Sequence, residues 1–223
     1  EIRKSLVGSE MCIRDSTQSN AYHIWTGADE GVYMATSTDS GQSWTQTSVR
    51  ISPNEVISTA FPQVDAGDPG RIAITYLGSE NASELNQSNI DGEPWDGNAH
   101  YANANVSYYL YVTYSLNALD TNPVFHTVRA SADPVQIGSI CLNSGDCRDI
   151  GGSNRNLLDF NDLHIDREGR VYIAFADGCT GECATGNNSG PEDSRSRRGI
   201  LCYLGSGPSL LEGFGTLSAF ESQ

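Results

Sequence analysis

The chain has 223 residues, of which 38% are hydrophobic and 18% charged, and its formal net charge is −15. A surface this acidic repels nucleic acid and anionic membranes, so we expect neither as a partner. No apolar run approaches the ~20 residues of a membrane helix, so we predict no membrane span. Turn-forming residues are abundant and short alternating runs dominate, which predicts an all-β fold.

Residues 1–16, EIRKSLVGSEMCIRDS, do not fit the pattern of the residues that follow. They lack the run of ~7–15 apolar residues that a secretion signal contains. The stretch SLVGSEMCIRDS resembles a translated sequencing-library adapter, and a short native strand around Leu6 and Val7 is the alternative. We therefore expect residues 1–16 to be a non-native artefact outside the fold and the native N-terminal part of the chain to be missing.

The motif STDSGQSW, residues 37–44, lies between two alternating runs and predicts a hairpin. Its spacing, Ser-x-Asp-x-Gly-x-x-Trp, gives each residue a structural role. Asp39 can accept backbone N–H groups across the loop, Gly41 permits the bend, and Trp44 covers it. The motif, formed by Ser37, Asp39, Gly41 and Trp44, resembles the Asp-box of sialidase-type β-propellers, which joins the third and fourth strands of a blade.

An internal repeat extends this interpretation. FPQVDAGDPGRIAITY, residues 61–76, aligns without gaps with FNDLHIDREGRVYIAF, residues 160–175, at an offset of 99. Each copy is typical of a strand, a turn ending in Gly and a second strand. YMATSTD from Tyr33 resembles YVTYSLN from Tyr111, and SLNALDTNPVF is a longer, degenerate Asp-box with Asn117 in place of Asp39. Repetition of four-strand units predicts a propeller.

These segments define three predicted blades, at about 20–52, 59–131 and 158–205, within a domain spanning 17–223. Over about 20–216 the chain is similar to sialidase-like propeller proteins of bacteria and archaea, which carry the bacterial neuraminidase repeat. The resemblance implies four-stranded antiparallel blades in a six-bladed ring, of which this chain is about half. The missing N-terminal blades of the same chain would complete the ring. A β-sandwich is the alternative, although it leaves the repeat unexplained.

In such blades the turns between strands one and two share a face with the Asp-boxes, and the loops 52–59, 78–105, 131–157 and 177–198 lie on the opposite face. Elaborated loops usually carry the site. Arg71 and Arg170 then lie on the plain face, where we predict structural roles. On the loop face, where we expect a solvated rim, the catalytic candidates are Asp159, Asp162 and Asp177, and the substrate-binding candidates are Glu80, Trp95 and Arg155. A loop-capping role is the alternative for each.

The resemblance implies a secreted glycoside hydrolase acting on sialic-acid-like or other glycans. Sialidases hold the substrate carboxylate with arginines and use a Tyr nucleophile helped by a Glu, with an Asp as acid/base. No motif here matches those positions residue by residue. A non-catalytic propeller that binds glycan or protein through the loop face is therefore the alternative.

Two cysteine pairs lie in polar loops: Cys141 and Cys147 bracket LNSGD, and Cys179 and Cys183 bracket TGE. Such close pairs predict local disulfides and an oxidising, extracellular or cell-surface location, with Cys202 left as a free strand thiol. Zinc is the alternative, although no His neighbours these pairs. We predict no cofactor; calcium held by Asp177, Glu182 and loop carbonyls is the exception that hard oxygen ligands would allow.

Overall fold

The computed structural model describes residues 11–14, 19–81, 106–137, 140, 157, 161–181, 183–184 and 198–218. Within these residues there are fourteen strands and no helix, which confirms the predicted all-β class. The strands form three antiparallel sheets in chain order and a small C-terminal hairpin.

The first sheet contains β1 (Met11–Arg14), β2 (Ala21–Thr26), β3 (Val32–Ser37) and β4 (Val49–Arg50). The second contains β5 (Ser58–Ala66), β6 (Ile72–Ser79), β7 (Ser107–Ser115) and β8 (His126–Arg129), with β9 (Gln136–Ile137) also paired to β7. The third contains β10 (Asn161–Ile165), β11 (Val171–Asp177) and β12 (Arg198–Tyr203). The C-terminal hairpin pairs β13 (Gly207–Pro208) with β14 (Thr216–Leu217).

The first sheet corrects one expectation. Residues 11–14 do not lie outside the fold, because they pair with β2 in a register that runs from Met11 opposite Ile24 to Arg14 opposite Ala21. Without them β2 would be an edge strand with unpaired N–H and C=O groups, and the extended stretch MCIR supplies partners for those groups. The adapter-like origin of residues 1–16 stays a prediction.

Two hydrophobic clusters lie on opposite faces of the second sheet. Strand β6 is buried along its entire length. Its alternate residues enter the two clusters because successive side chains of a strand point to opposite faces. The cluster shared with the first sheet includes Tyr22, Ile24, Met34, Ile72, Ile74 and Tyr76. The cluster shared with the third sheet includes Ala73, Leu77, Val112, Leu163, Ile173 and Phe175.

A bulge in β5 reverses the alternation of its side chains, so that residues before and after the bulge that would share a face point to opposite faces of the sheet. The register shifts between Ala60 and Gln63, and Phe61 has φ 53°, a left-handed value that costs about 1–3 kcal/mol for a non-glycine residue. Val64 packs toward the first sheet, whereas Ala60 packs toward the third. Thr59 is thereby turned to the first sheet, where its hydroxyl donates to the Glu30 carbonyl at 2.6 Å.

The turn at 37–44 is held by side chains. Asp39 Oδ1 accepts the Ser37 hydroxyl at 2.7 Å and the Ser43 N–H at 2.8 Å, and its Oδ2 accepts the Ser43 hydroxyl at 2.6 Å. The Ser37 hydroxyl oxygen also accepts the Gly41 N–H at 2.9 Å. Gly41 has φ 83°, and the edge of Trp44 lies beside it. The carboxylate thus satisfies a backbone N–H that the tight reversal leaves without a carbonyl.

The turn after β7 repeats this arrangement with an amide. Asn117 Oδ1 accepts the Ser115 hydroxyl at 3.2 Å and the Val124 N–H at 2.8 Å, while the Asn117 N–H donates to the Ser115 hydroxyl oxygen. In the first turn the Asp39 N–H donates to the Ser37 hydroxyl oxygen in the same way. The Ser-x-Asp and Ser-x-Asn sequences therefore close equivalent turns between the third and fourth strands of two sheets.

The Asp39 carboxylate should make stability depend on pH. Hydrogen bonds from the Ser43 hydroxyl, the Ser43 N–H and the Ser37 hydroxyl lower the pKa of Asp39 from 3.8 to about 2. Because the folded-state pKa is depressed, the stabilisation is complete above about pH 4 and is lost as pH falls through about 2. Urea unfolding between pH 2 and 6 should show a shallower acid loss for Asp39→Asn than for the wild type.

The exposed Glu55 offers a matched control, since Glu55→Gln removes a carboxylate outside the turn. Its acid profile should follow that of the wild type. If Asp39→Asn lost stability in acid as steeply as the wild type, the bonds to Ser43 would not contribute to folding.

Candidate functional site

The sheets have two unlike edges. The short-turn edge carries the tight turns 37–44, 67–71, 116–125 and 166–170. There the Ala118 N–H donates to the Gly70 carbonyl, and the Gly70 N–H donates to the Tyr22 hydroxyl, both at 2.8 Å. This confirms for the second sheet that its first turn and its Asp-box-like turn share an edge. The opposite long-loop edge is where the chain leaves β6 after Ser79 and β11 after Asp177.

Backbone bonds join the second and third sheets at the long-loop edge. The Val135 N–H donates to the Tyr108 carbonyl at 2.7 Å, and the Val135 carbonyl accepts the Gly178 N–H at 2.9 Å. The Tyr108 hydroxyl lies 2.9 Å from that of Ser58, at the start of β5. Val135 therefore links β7 to the residue that follows Asp177.

Asp177 is buried, with 5% of its surface exposed. Its Oδ1 accepts the N–H of Cys179 at 3.0 Å, a group that is also buried. The expectation that Asp177 lies on a solvated rim is therefore wrong, because the bond between Gly178 and Val135 draws this turn against the second sheet. Here the carboxylate caps the loop, which was the alternative role for this residue.

The neighbouring disulfide is the one predicted for this loop. Cys179 and Cys183 are bonded and buried, with 5.1 Å between their Cα atoms. Cys202 is a free thiol, as predicted, and burial raises its pKa. The disulfide and the Asp177 carboxylate together set the shape of the first residues of the insertion after β11.

Glu80 is exposed at the end of β6 and accepts a hydrogen bond from the Tyr111 hydroxyl. The ring of Tyr111 is buried and stacks on Tyr76, with 5.6 Å between centroids and 4° between planes. Burial, together with the hydrogen bond and charge of Glu80, raises the pKa of Tyr111. The phenol therefore stays protonated and joins the middle of β7 to the start of the long insertion.

Glu80 was predicted as a site residue from the sequence, but its hydrogen-bond donor Tyr111 was not. Tyr111 lies 31 residues along the chain, and only the pairing of β6 with β7 brings it near Glu80. The alternation of YLYVTYS could have indicated that Tyr111 faces inward, but it holds no signal for the carboxylate that its hydroxyl reaches.

Asp162 and Asp177 do not form a carboxylate pair. Asp162 is exposed and lies opposite Ala174, three residues before Asp177 on β11. That spacing is about 10 Å along a strand and places the two side chains on opposite faces. The Asp162 Oδ1 accepts the N–H of Leu163 at 2.8 Å. The remaining candidates lie outside the described residues: Trp95, Arg155 and Asp159, together with Cys141, Cys147 and Glu182.

An arginine that the sequence did not single out anchors the long-loop edge of the first sheet. Arg50 forms an ion pair with Asp29 at 2.6 Å and donates to the carbonyls of Ser52 and Val56, both at 3.1 Å. Burial alone would raise the pKa of Asp29, but hydrogen bonds from Tyr33 and Gly31 and the Arg50 charge lower it. This cluster holds the connector between the first two sheets.

The described residues include no group of three His, Cys, Asp or Glu side chains placed to hold a metal ion. A shallow cleft lies at the short-turn edge, where Tyr114 and Arg170 meet the C-terminal residues Leu204, Pro208 and Leu217. It is therefore on the edge opposite to Glu80 and Asp177.

Comparisons with protein-family models, with curated proteins and with solved structures each gave no match to this chain. In the described part of the chain, no helix is long and apolar enough to cross a membrane.

Asp177→Ala should lower the free energy of unfolding by about 1–3 kcal/mol, because the buried Cys179 N–H loses its acceptor. Asp177→Asn keeps an acceptor oxygen and should cost less. Asp162→Ala is the matched control on the exposed face of β10 and should change stability by no more than about 0.5 kcal/mol. Denaturant unfolding measures all three. If Asp177→Ala were as stable as the wild type, the Asp177 carboxylate would not cap a buried N–H and would be exposed to solvent instead.

Proposed function

We propose that the three sheets are blades of a sialidase-like β-propeller and that the protein is a secreted glycoside hydrolase acting on glycans at its long-loop edge. The observation that carries the proposal is the shared closure of the turns at 37–44 and 116–125. In both turns a serine hydroxyl and an Asx oxygen two residues later bond to each other, and the Asx oxygen also accepts a backbone N–H. Equivalent turns at equivalent places in two meanders support repeated blades.

The difference in loop length between the two edges supports the long-loop edge as the ligand-binding edge. Short hydrogen-bonded turns close one edge of the second and third sheets, whereas the insertions after Ser79 and Asp177 leave from the other. Long connections on a rigid scaffold are the usual place for binding and catalytic residues. The disulfide between Cys179 and Cys183 supports an oxidising compartment and hence secretion.

We assign roles to individual residues according to the hydrogen bonds that the described carboxylates already make. Asp177 caps a buried N–H and Glu80 binds the Tyr111 phenol, so both are assigned to supporting the loops. We assign substrate recognition to Arg155, as a clamp for an anionic group, and proton transfer to Asp159. Both lie in the segment that leads into β10, the first strand of the third sheet.

A non-catalytic glycan-binding propeller is the second candidate. The observation that favours it is the engagement of Asp29, Glu80 and Asp177 of this edge in structural bonds, since a general acid must be free to reach its substrate. Such a module would still bind glycans through the same insertions.

A fluorogenic sialoside assay on the full-length protein separates the two functions. The hydrolase predicts turnover that falls by about 10²-fold or more in Arg155→Ala and Asp159→Asn, the scale of losing a positioning or proton-transfer group. The control Asp39→Ala, on the opposite edge, should lower the melting temperature and keep kcat. Glycan binding in calorimetry with no turnover would select the binding module. Absence of both turnover and binding would refute the glycan proposal.

A further inference from the structure

The C-terminal segment 205–217 crosses the short-turn edge and contacts a turn of each of two sheets. Leu210 is at the centre of this contact. Its N–H donates to the Gly169 carbonyl of the third sheet, and its carbonyl accepts the Asp68 N–H of the second sheet, both at 3.0 Å. The Leu210 side chain is 1% exposed and belongs to the hydrophobic cluster between these sheets. One residue therefore bonds to both sheets.

Hydrogen bonds that involve side chains join the segment to both turns as well. Arg71 donates to the Ser209 carbonyl at 2.9 Å, and the Ser209 hydroxyl donates to the Glu168 carbonyl at 2.6 Å. The Glu212 N–H donates to Asp68 Oδ2 at 2.5 Å. Arg71 thus has the structural role that its place on the plain face predicted.

The segment also lies too close to the turns for larger residues. A Cβ added at Gly67 would lie 2.1 Å from the Leu210 carbonyl oxygen, and one added at Gly169 would lie 2.1 Å from the Ser209 hydroxyl oxygen. Gly169 in addition has φ 81°. Each turn therefore has a glycine at the point where the segment passes.

We propose that residues 205–217 act as a clasp that locks the third sheet against the second at the short-turn edge and that can detach as a unit. The segment has one deep anchor, since Ser209 and Leu210 are its buried residues and 212–216 is exposed. Gly205 and Gly207, at which an added Cβ would meet open space, form the hinge, and the Gly205 carbonyl accepts a 3.4 Å hydrogen bond from Arg170.

The clasp acts on the contact between the first strands of the two sheets. There the Ile165 N–H of β10 donates to Asp65 Oδ2 of β5 at 2.8 Å, one residue from the turn 166–170 that the clasp holds. Detachment removes the bonds that Leu210 makes to both turns, which leaves the Ile165–Asp65 bond and side-chain packing to hold β10 against β5 and so weakens that contact. The proposal does not depend on the function assigned to the long-loop edge.

Hydrogen exchange and limited proteolysis on the whole chain test the clasp. Leu210→Ala should make amides in 67–71, 161–166 and 205–217 exchange about tenfold faster or more, while those of β2 and β3 keep their wild-type rates. Cleavage should begin at 205–207. Arg71→Ala, which leaves the core intact, should give the same pattern more weakly. Phe214→Ala is the matched control, because Phe214 is in the same segment but is 50% exposed, and it should behave as the wild type.

Two outcomes would overturn the clasp. Uniformly faster exchange in all three sheets would show that Leu210 is an ordinary core residue of one cooperative unit. Unchanged exchange of 67–71 and 161–166 in both variants would show that the segment merely lies on the surface. If Leu210→Ala does not fold, the pattern in Arg71→Ala decides between these outcomes and the proposal.

Discussion

Strand β6 is buried along its whole length because a sheet packs on each face of the second sheet. Burial on two sides leaves no place for a charged side chain in Ile72–Ser79, and its sequence IAITYLGS contains none. The charged side chains nearest to this strand in the sequence therefore lie beyond its two ends. Arg71 at the short-turn edge and Glu80 at the long-loop edge are the charged residues that directly flank it.

At these strand ends the carboxylates and amides repeatedly perform the same task. Asp39, Asn117, Asp166 and Asp177 each accept a backbone N–H that the local turn leaves without a carbonyl partner. The same bond thus occurs in the Asp-box turn and at Asp177, which was first considered as catalytic. An acidic residue at the end of a strand is consequently weak evidence for catalysis in this fold, and the insertions are the better place to look for reacting groups.

The hydrogen bonds within a turn could be predicted from the sequence, whereas contacts between residues far apart in the chain could not. The turn at 37–44 and its Asn117 counterpart could be predicted because their bonds join residues at most seven apart. The burial of Asp177 depends on Val135, a distant residue that bonds to the second sheet, and no pattern around Asp177 contains that information. The pairing of residues 11–14 with β2 was not predicted, because a strand is added to a sheet edge through backbone hydrogen bonds and needs no particular side-chain pattern. The predicted residues Arg155, Asp159 and Trp95 stay predictions.

The position of Leu210 also bears on the order in which the molecule can be assembled. Arg71 and its partner Ser209 are 138 residues apart, and Asp68 and Glu212 are 144 apart. On a ribosome the first two sheets can pair while the third is still being made, because their strands are close in sequence. The part of the join between the second and third sheets that lies at the short-turn edge waits for residues made after all three sheets. Until then the apolar site that receives Leu210 is uncovered, and transiently exposed apolar surface of this kind is where a nascent chain is prone to aggregate.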